Sequence, residues 1–419
     1  MNNKLIISSI IAVVLIICAL IYFNNSDSSY DEKTFEKNSQ GQLSNSSQYY
    51  DNQQNIGENQ NNNQQNNYGK KCTGSGSVKF TSPPMKVDDI MYIQPLGLMI
   101  GGHVTPIDHQ YYYANSWKPS KATIGELRDV ASPADGIVQF VQRMPSEYTT
   151  SEIGDYRLQI DHSCTFYSIY IHLNQLSPKL QQIVDKQGYQ DIEVKAGEVI
   201  GKARSFDFSV HDEQITLKGF INPETYKGES WKIHTVDPFD YFVEPLKTQL
   251  LTKNTRTAEP RGGKIDYDLS GKLIGNWFEE NTGGYSGYAS GTYGYWSTHL
   301  AFAPDALDPD HIIASLGNFK GEAKQFGVKG NSPNPAEVDK NAGLIKYELV
   351  DYEYLDSSGN KWNQQKFASG LKAKNTDAQI HGTILVQLTE TDKIKAEVFP
   401  GKSAKEINGF TSNAKIYSR

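Results

Sequence analysis

With 41 basic and 48 acidic side chains in 419 residues, the chain carries a formal net charge of −7. This mild excess, with no long basic run, excludes the electrostatic footprint of a nucleic-acid binder or of a protein built for a strongly acidic partner. The length is enough for two ordinary domains after an unfolded N-terminal stretch.

Residues 1–4 form a short stub ending in Lys4, followed by an uncharged, almost wholly apolar run from Leu5 to Phe23. At helical rise that run is about 28 Å long, one bilayer core. Lys4 precedes it and Asp27, Asp31 and Glu32 follow, so the positive-inside bias places the stub in the cytoplasm and everything after residue 23 outside it. The expectation is a single-pass protein of the cell membrane, anchored through residues 5–23. A cleaved signal peptide gives the same compartment without the tether.

Residues 24–71 read as a flexible stalk: thirteen of the sixteen residues from Asn52 to Asn67 are Asn or Gln, after a Ser-rich stretch, and such composition cannot bury enough apolar surface to offset ordering. Cys72 and Cys164 are the thiols of the exported part, since Cys18 lies in the apolar run. Two thiols outside the cell are expected to pair.

The fold class is mostly β. From 72 to 250, short β-type runs (Ile137 to Val141, Tyr156 to Ile160, Tyr167 to Ile171, Phe206 to Val210) alternate with turn signals, and one helix is expected from Pro178 to about Lys186, with Ser177 as its N-cap. Residues 251–264, polar and basic with Arg256, Pro260, Arg261, Gly262 and Gly263, read as a linker. From 265 to 419 the chain opens with Asp266 to Asn276 and continues strand-rich. The alternation in Leu344 to Leu349 and Thr383 to Leu388 predicts a β-barrel or sandwich. Gly275-Asn276-Trp277 resembles the Gly-x-Trp of lipocalin-like barrels, whose Trp closes one end, and is read as core packing.

Five of the nine histidines fall between 100 and 215. Gly101-Gly102-His103-Val104-Thr105-Pro106-Ile107-Asp108-His109, then Ala134-Asp135-Gly136-Ile137-Val138, Leu158-Gln159-Ile160-Asp161-His162, Tyr170-Ile171-His172-Leu173 and Val194 to Gly201 together resemble, over residues 95–215, the lysostaphin-type zinc endopeptidases. The resemblance implies a duplicated-hybrid-motif β domain, zinc held by three ligands with an open position for water, and a nearby base. His103 and Asp108 match the first His and Asp ligands, with a gap one residue longer than the family's and His109 as the alternative to Asp108. His172 matches the histidine that acts as base or polariser.

The family's terminal His-x-His is missing: Ser205 and Asp207 stand there. On a strand Ser205, Asp207, Ser209 and His211 share one face and Phe206, Phe208 and Val210 the other, so Asp207 points where a ligand belongs. A His, Asp, Asp set is harder and more anionic, and is expected to hold zinc less selectively.

Three functions follow as expectations: a tethered metallopeptidase acting on cell-envelope peptides, a non-catalytic scaffold that binds an envelope polymer or partner, or a relative of the sugar-phosphotransferase carrier domain, which shares the architecture but is cytoplasmic. Tyr285, Tyr288, Tyr293, Tyr295 and Trp296 read either as a sugar-stacking loop or as β-core aromatics. The His and Asp residues from His299 to His311 read as solvated turn acids rather than a calcium loop. Motifs for nucleotide cofactors are absent.

Overall fold

The computed structural model describes residues 71–144, 149–150, 152–186, 190–288 and 294–419. The apolar run 5–23 and the stalk lie outside them, and among the described residues no helix is long and apolar enough to cross a membrane.

The first half is built from β1 (Ile90–Gln94), β2 (Gln110–Ala114), β3 (Arg128–Ala131), β4 (Gly136–Arg143), β5 (Tyr156–Asp161), β6 (Phe166–Leu173), β7 (Gln175–Leu176), β8 (Ile192–Val194), β9 (Val199–Ala203), β10 (Ser205–Asp212) and β11 (Thr235–Val236). The large sheet runs β1-β2-β10-β6-β5-β4-β8, with β11 added to β10, and β3-β9-β7 form a small second sheet. Phe206, Phe208 and Val210 of β10 enter a buried cluster with Tyr112, Phe166 and Tyr170, and Val130, Ile200 and Ala203 of the small sheet belong to the same cluster. Because side chains alternate along a strand, burying those three residues turns Ser205, Asp207 and Ser209 to the other face.

The expected helix is cut short. α1 spans Pro178–Gln181 only, and Ser177 makes no side-chain cap. The chain then leaves the helix to reach the sheet edge, where Val184 bridges Val141 and the Asp185 amide donates to the Val141 carbonyl at 2.9 Å. Leu180 and Ile183 are nevertheless both buried.

Cys72 and Cys164 form a disulfide across a separation of 92 residues. Closing a loop of that length is worth about 4–5 kcal/mol in the chain-entropy model. The same segment is also tied down by hydrogen bonds from the Gly76 amide to Thr165 and from Ser163 to the Gly76 carbonyl. We therefore expect the Cys72→Ser, Cys164→Ser double variant to lose about 2–4 kcal/mol in chemical denaturation; no loss would mean the hydrogen bonds alone hold the segment.

Residues 265–419 contain a closed barrel of eight strands, β12 (Gly275–Glu279), β13 (His299–Pro304), β14 (Ile312–Phe319), β15 (Glu322–Val328), β16 (Ile345–Leu355), β17 (Lys372–Glu390), β18 (Lys393–Pro400) and β19 (Lys415–Ser418). Closure removes the unpaired edges an open sheet would present. Ile384, Val386 and Leu388 point into the barrel core with Phe302, Phe326 and Tyr347, while Leu385 packs outside with Phe399 and Ile407, the period-2 pattern of the sequence. The expected opening strand begins only at Gly275. Trp277 is fully buried and donates to the Leu273 carbonyl, with the Arg419 guanidinium 4.1 Å from its ring centroid. That guanidinium also donates to the carbonyls of Ile274, Leu269 and Lys272.

The two halves share buried clusters. Tyr92, Leu98, Ile107 and Tyr113 pack with Leu307, Trp362 and Leu371, and Leu96 packs with Phe278 and Tyr285. The segment read as a linker is packed as well: α2 (Leu246–Leu251) leads into it, and Arg256 is 1% exposed.

Candidate functional site

The segment between β1 and β2 carries apolar residues at Leu96, Leu98, Met99, Val104 and Ile107, and each is buried in a cluster shared with the second half of the chain. Held this way, the segment turns sharply at Gly101, whose φ of +53° suits glycine, and His103 pairs back to Ile100 through both backbone hydrogen bonds. A side chain at Gly102 would meet the Trp296 ring at 3.2 Å, and Gln325 donates to the Gly101 carbonyl at 3.0 Å. His103 is thus presented, half-buried, by contacts from the barrel.

His109 precedes β2. Since Tyr112 and Ala114 face the core, alternation sends the residues two and four before them to the core side and turns His109 and Tyr111 the opposite way, toward Asp207. The register agrees, with Asp207 of β10 opposite Tyr111 of β2 and Ile171 of β6. The Nε2 atom of His109 lies 3.4 Å from Asp207 Oδ2, and His172 Nε2 lies 3.7 Å from the same oxygen. Each ring is held from behind by a carboxylate: His109 Nδ1 lies 3.1 Å from Asp108 Oδ1, and His172 Nδ1 3.1 Å from both oxygens of Asp155. Asp108 accepts a further hydrogen bond from Trp231 Nε1 at 3.1 Å, and the Arg157 guanidinium sits 5.3 Å from the Trp231 ring centroid. His103 meets His109 edge to face, ring centroids 5.3 Å apart.

His172, the last but one residue of β6, has φ +69°, an uncommon conformation for a non-glycine residue of the kind that collects at functional sites. Its side chain is 37% exposed while Asp207 is nearly sealed, so the site opens at His103 and His172 and is closed at Asp207 and His109.

Burial opposes a proton on His172, but Asp155 and Asp207 outweigh it and raise its pKa to about 10. His109 is raised in the same way: burial works against the proton and is overcome by Asp207 and Asp108. His103 is pushed well below the ordinary histidine value by burial first, then by His109 and Lys232. Burial raises Asp207, against the lowering effect of the two histidines it faces. Asp207 is thus a buried acid faced by Nε2 of both histidines, and His109 Nε2 itself makes no hydrogen bond.

Two donors bound to a tetrahedral zinc ion at about 2.0–2.1 Å lie roughly 3.3–3.4 Å apart, so the 3.4 Å separation of His109 and Asp207 is a ligand-pair spacing. Among the described residues no group of three or more His, Cys, Asp or Glu side chains is already converged to hold an ion. Asp108 is directed to His109 Nδ1 and Trp231 instead of Asp207, which places it behind His109.

Other marked residues are spoken for. His162 lies between the Asp135 carbonyl and Ser168, and His211 between the Trp231 carbonyl and Ser209. Tyr285 and Trp296 are buried, Tyr288 is exposed, and Tyr293 lies outside the described residues. Of the acids near His311, Asp310 is exposed as expected, but Asp305 and Asp308 are buried, the first accepting from the Leu307 and Asp308 amides and Tyr354, the second from Lys372 and the Ala373 amide. Asp155, Trp231 and Lys232 carry no sequence signature.

No family model matches the chain, and no curated protein matches it. Among solved structures, a chain of the SpoIIQ-SpoIIIAH pore forming complex is a distant neighbour at 11% identity and a TM-score of 0.25, covering 41% of this chain and 96% of that one. That likeness is too distant to carry an argument about activity.

Proposed function

We propose that the chain is a membrane-anchored, extracytoplasmic metallopeptidase-like protein whose site takes zinc through His103, His109 and Asp207 and acts on peptides of the cell envelope. The observation that carries this reading is that His109 aims Nε2 at Asp207, 3.4 Å away, while Asp108 holds its Nδ1, with His172, held by Asp155, facing the same oxygen from the open side. Metal-ligating histidines keep that kind of outer partner, which fixes tautomer and orientation. With His109 in the place the family gives to Asp, and Asp207 in the place of His, the set is again two histidines and one carboxylate.

Zinc, when bound, polarises a peptide carbonyl and makes a coordinated water acidic. His172 supplies proton handling at Nε2, since Asp155 fixes its Nδ1 and its side chain faces the opening. The peptide substrate class rests on the resemblance of residues 95–215 to the lysostaphin-type enzymes. The unconverged donors favour a second reading, a non-catalytic scaffold on the same fold.

Elemental mass spectrometry on the full chain in detergent, after zinc loading and dialysis, tests the proposal. One zinc per chain, with cleavage of envelope peptides that stops in His172→Ala, is the expected result. One zinc without cleavage selects the scaffold, and no zinc removes the metal reading.

A further inference from the structure

The 3-10 segment Pro223–His234 is held from both halves of the chain. Near its start Tyr226 is buried against Phe278 and Tyr285 of the second half, and its hydroxyl accepts from Asn276 Nδ2 at 2.9 Å. Gly228 packs so closely on Ser286 that there is no room for a Cβ. Near its end the Trp231 carbonyl accepts from His211 Nδ1 of β10 at 3.0 Å, and the Ile233 carbonyl accepts from the Leu217 amide at 2.9 Å. With its backbone fixed in this way, Trp231 sets Nε1 3.1 Å from Asp108 Oδ2, and the Arg157 guanidinium lies 5.3 Å from the ring centroid.

An indole N–H can only donate and an ionised carboxylate can only accept, so the two oxygens of Asp108 have separate partners, Oδ2 with Trp231 and Oδ1 with His109 Nδ1. A buried carboxylate tied at one oxygen cannot turn without leaving that oxygen unpaired, which is costly. His109 therefore keeps a proton on Nδ1 and its Nε2 toward Asp207. We propose that Trp231 is a positioning residue: through Asp108 it fixes the Nδ1 proton and the ring orientation of His109, and so sets the zinc affinity of the site from a segment that the barrel half holds in place. The bearing on zinc rests on the reading of the site as a zinc site; the placement of the His109 ring does not.

Nuclear magnetic resonance of the full chain in detergent, isotope-labelled at histidine, and zinc competition against a chelator together test this in wild type, Trp231→Phe, Asp108→Asn and the double variant, with His109→Ala assigning the signal. In metal-free wild type the Nδ1 proton of His109 is expected as a resonance protected from solvent exchange, and it is lost in Trp231→Phe, which keeps an aromatic ring but not the donor. Trp231→Phe is expected to weaken zinc binding about tenfold, yet by less than about twofold when Asp108→Asn is already present, because it acts through that carboxylate. A protected proton that persists in Trp231→Phe, no protected proton in wild type, or a loss of affinity that adds in full to that of Asp108→Asn overturns the proposal. If Trp231→Phe does not fold, the benzothiophene analogue of tryptophan at position 231, which exchanges N–H for sulfur and keeps the shape, takes its place. A proton that depends on Trp231 in a protein that takes no zinc supports the positioning role and removes the metal reading alone.

Discussion

His109→Ala is expected to abolish stoichiometric zinc binding, whereas Asp108→Asn is expected to weaken it only about 10- to 100-fold. The two residues are adjacent, and the resemblance of the sequence to zinc endopeptidases gives the ligand role to Asp108 first. In the structure Asp108 lies behind the His109 ring and receives Trp231, while Nε2 of His109 faces Asp207. Removing His109 takes away a donor. Removing the charge of Asp108 leaves the donor and loosens its orientation, so the loss should be partial. Dialysis competition against a chelator of known affinity measures both, and the reverse order of effects would return the ligand role to Asp108.

Arg256→Met is expected to destabilise the protein by about 3–5 kcal/mol, and Arg256→Lys by nearly as much. The buried guanidinium donates from Nε to the carbonyls of Ala258 and Pro260, and from its two terminal nitrogens to Glu259 and to Ala306 of the barrel half. It has no carboxylate within ion-pair reach among the described residues. Methionine fills the volume but leaves these buried carbonyls without donors, each a cost of about 1–3 kcal/mol before relaxation. Lysine keeps the charge but cannot reproduce a planar fork. Urea denaturation followed by tryptophan fluorescence reads the change. A loss under about 1 kcal/mol would mean that water replaces the guanidinium without difficulty and the segment is a linker in more than sequence.

Much of the β framework is legible in the residues. The alternation in Thr383 to Leu388 is the inside and outside of the barrel wall, and Phe206, Phe208 and Val210 fix the direction of Asp207. The same rule applied to Tyr112 and Ala114 would have selected His109 over Asp108, because a residue's face follows from its neighbours' burial even where a family's spacing is broken. Arg256 is not legible, since a basic residue among Pro and Gly looks solvated until its carbonyl partners are brought to it by folding. Trp231 is hidden for a similar reason: it lies in a 3-10 segment of no periodicity, and its role comes from Asp108, 123 positions away. The helix after Ser177 fails because pairing of Val184 with the sheet edge overrides local propensity.

The backing that Trp296 and Gln325 give to Gly101 and Gly102 bears on how such a protein can be inherited. A recombination event that exchanged the barrel for another would leave the turn before His103 without its support, and one that moved the first half alone would carry away an incomplete centre. The two halves are therefore expected to travel through descent as a single heritable unit.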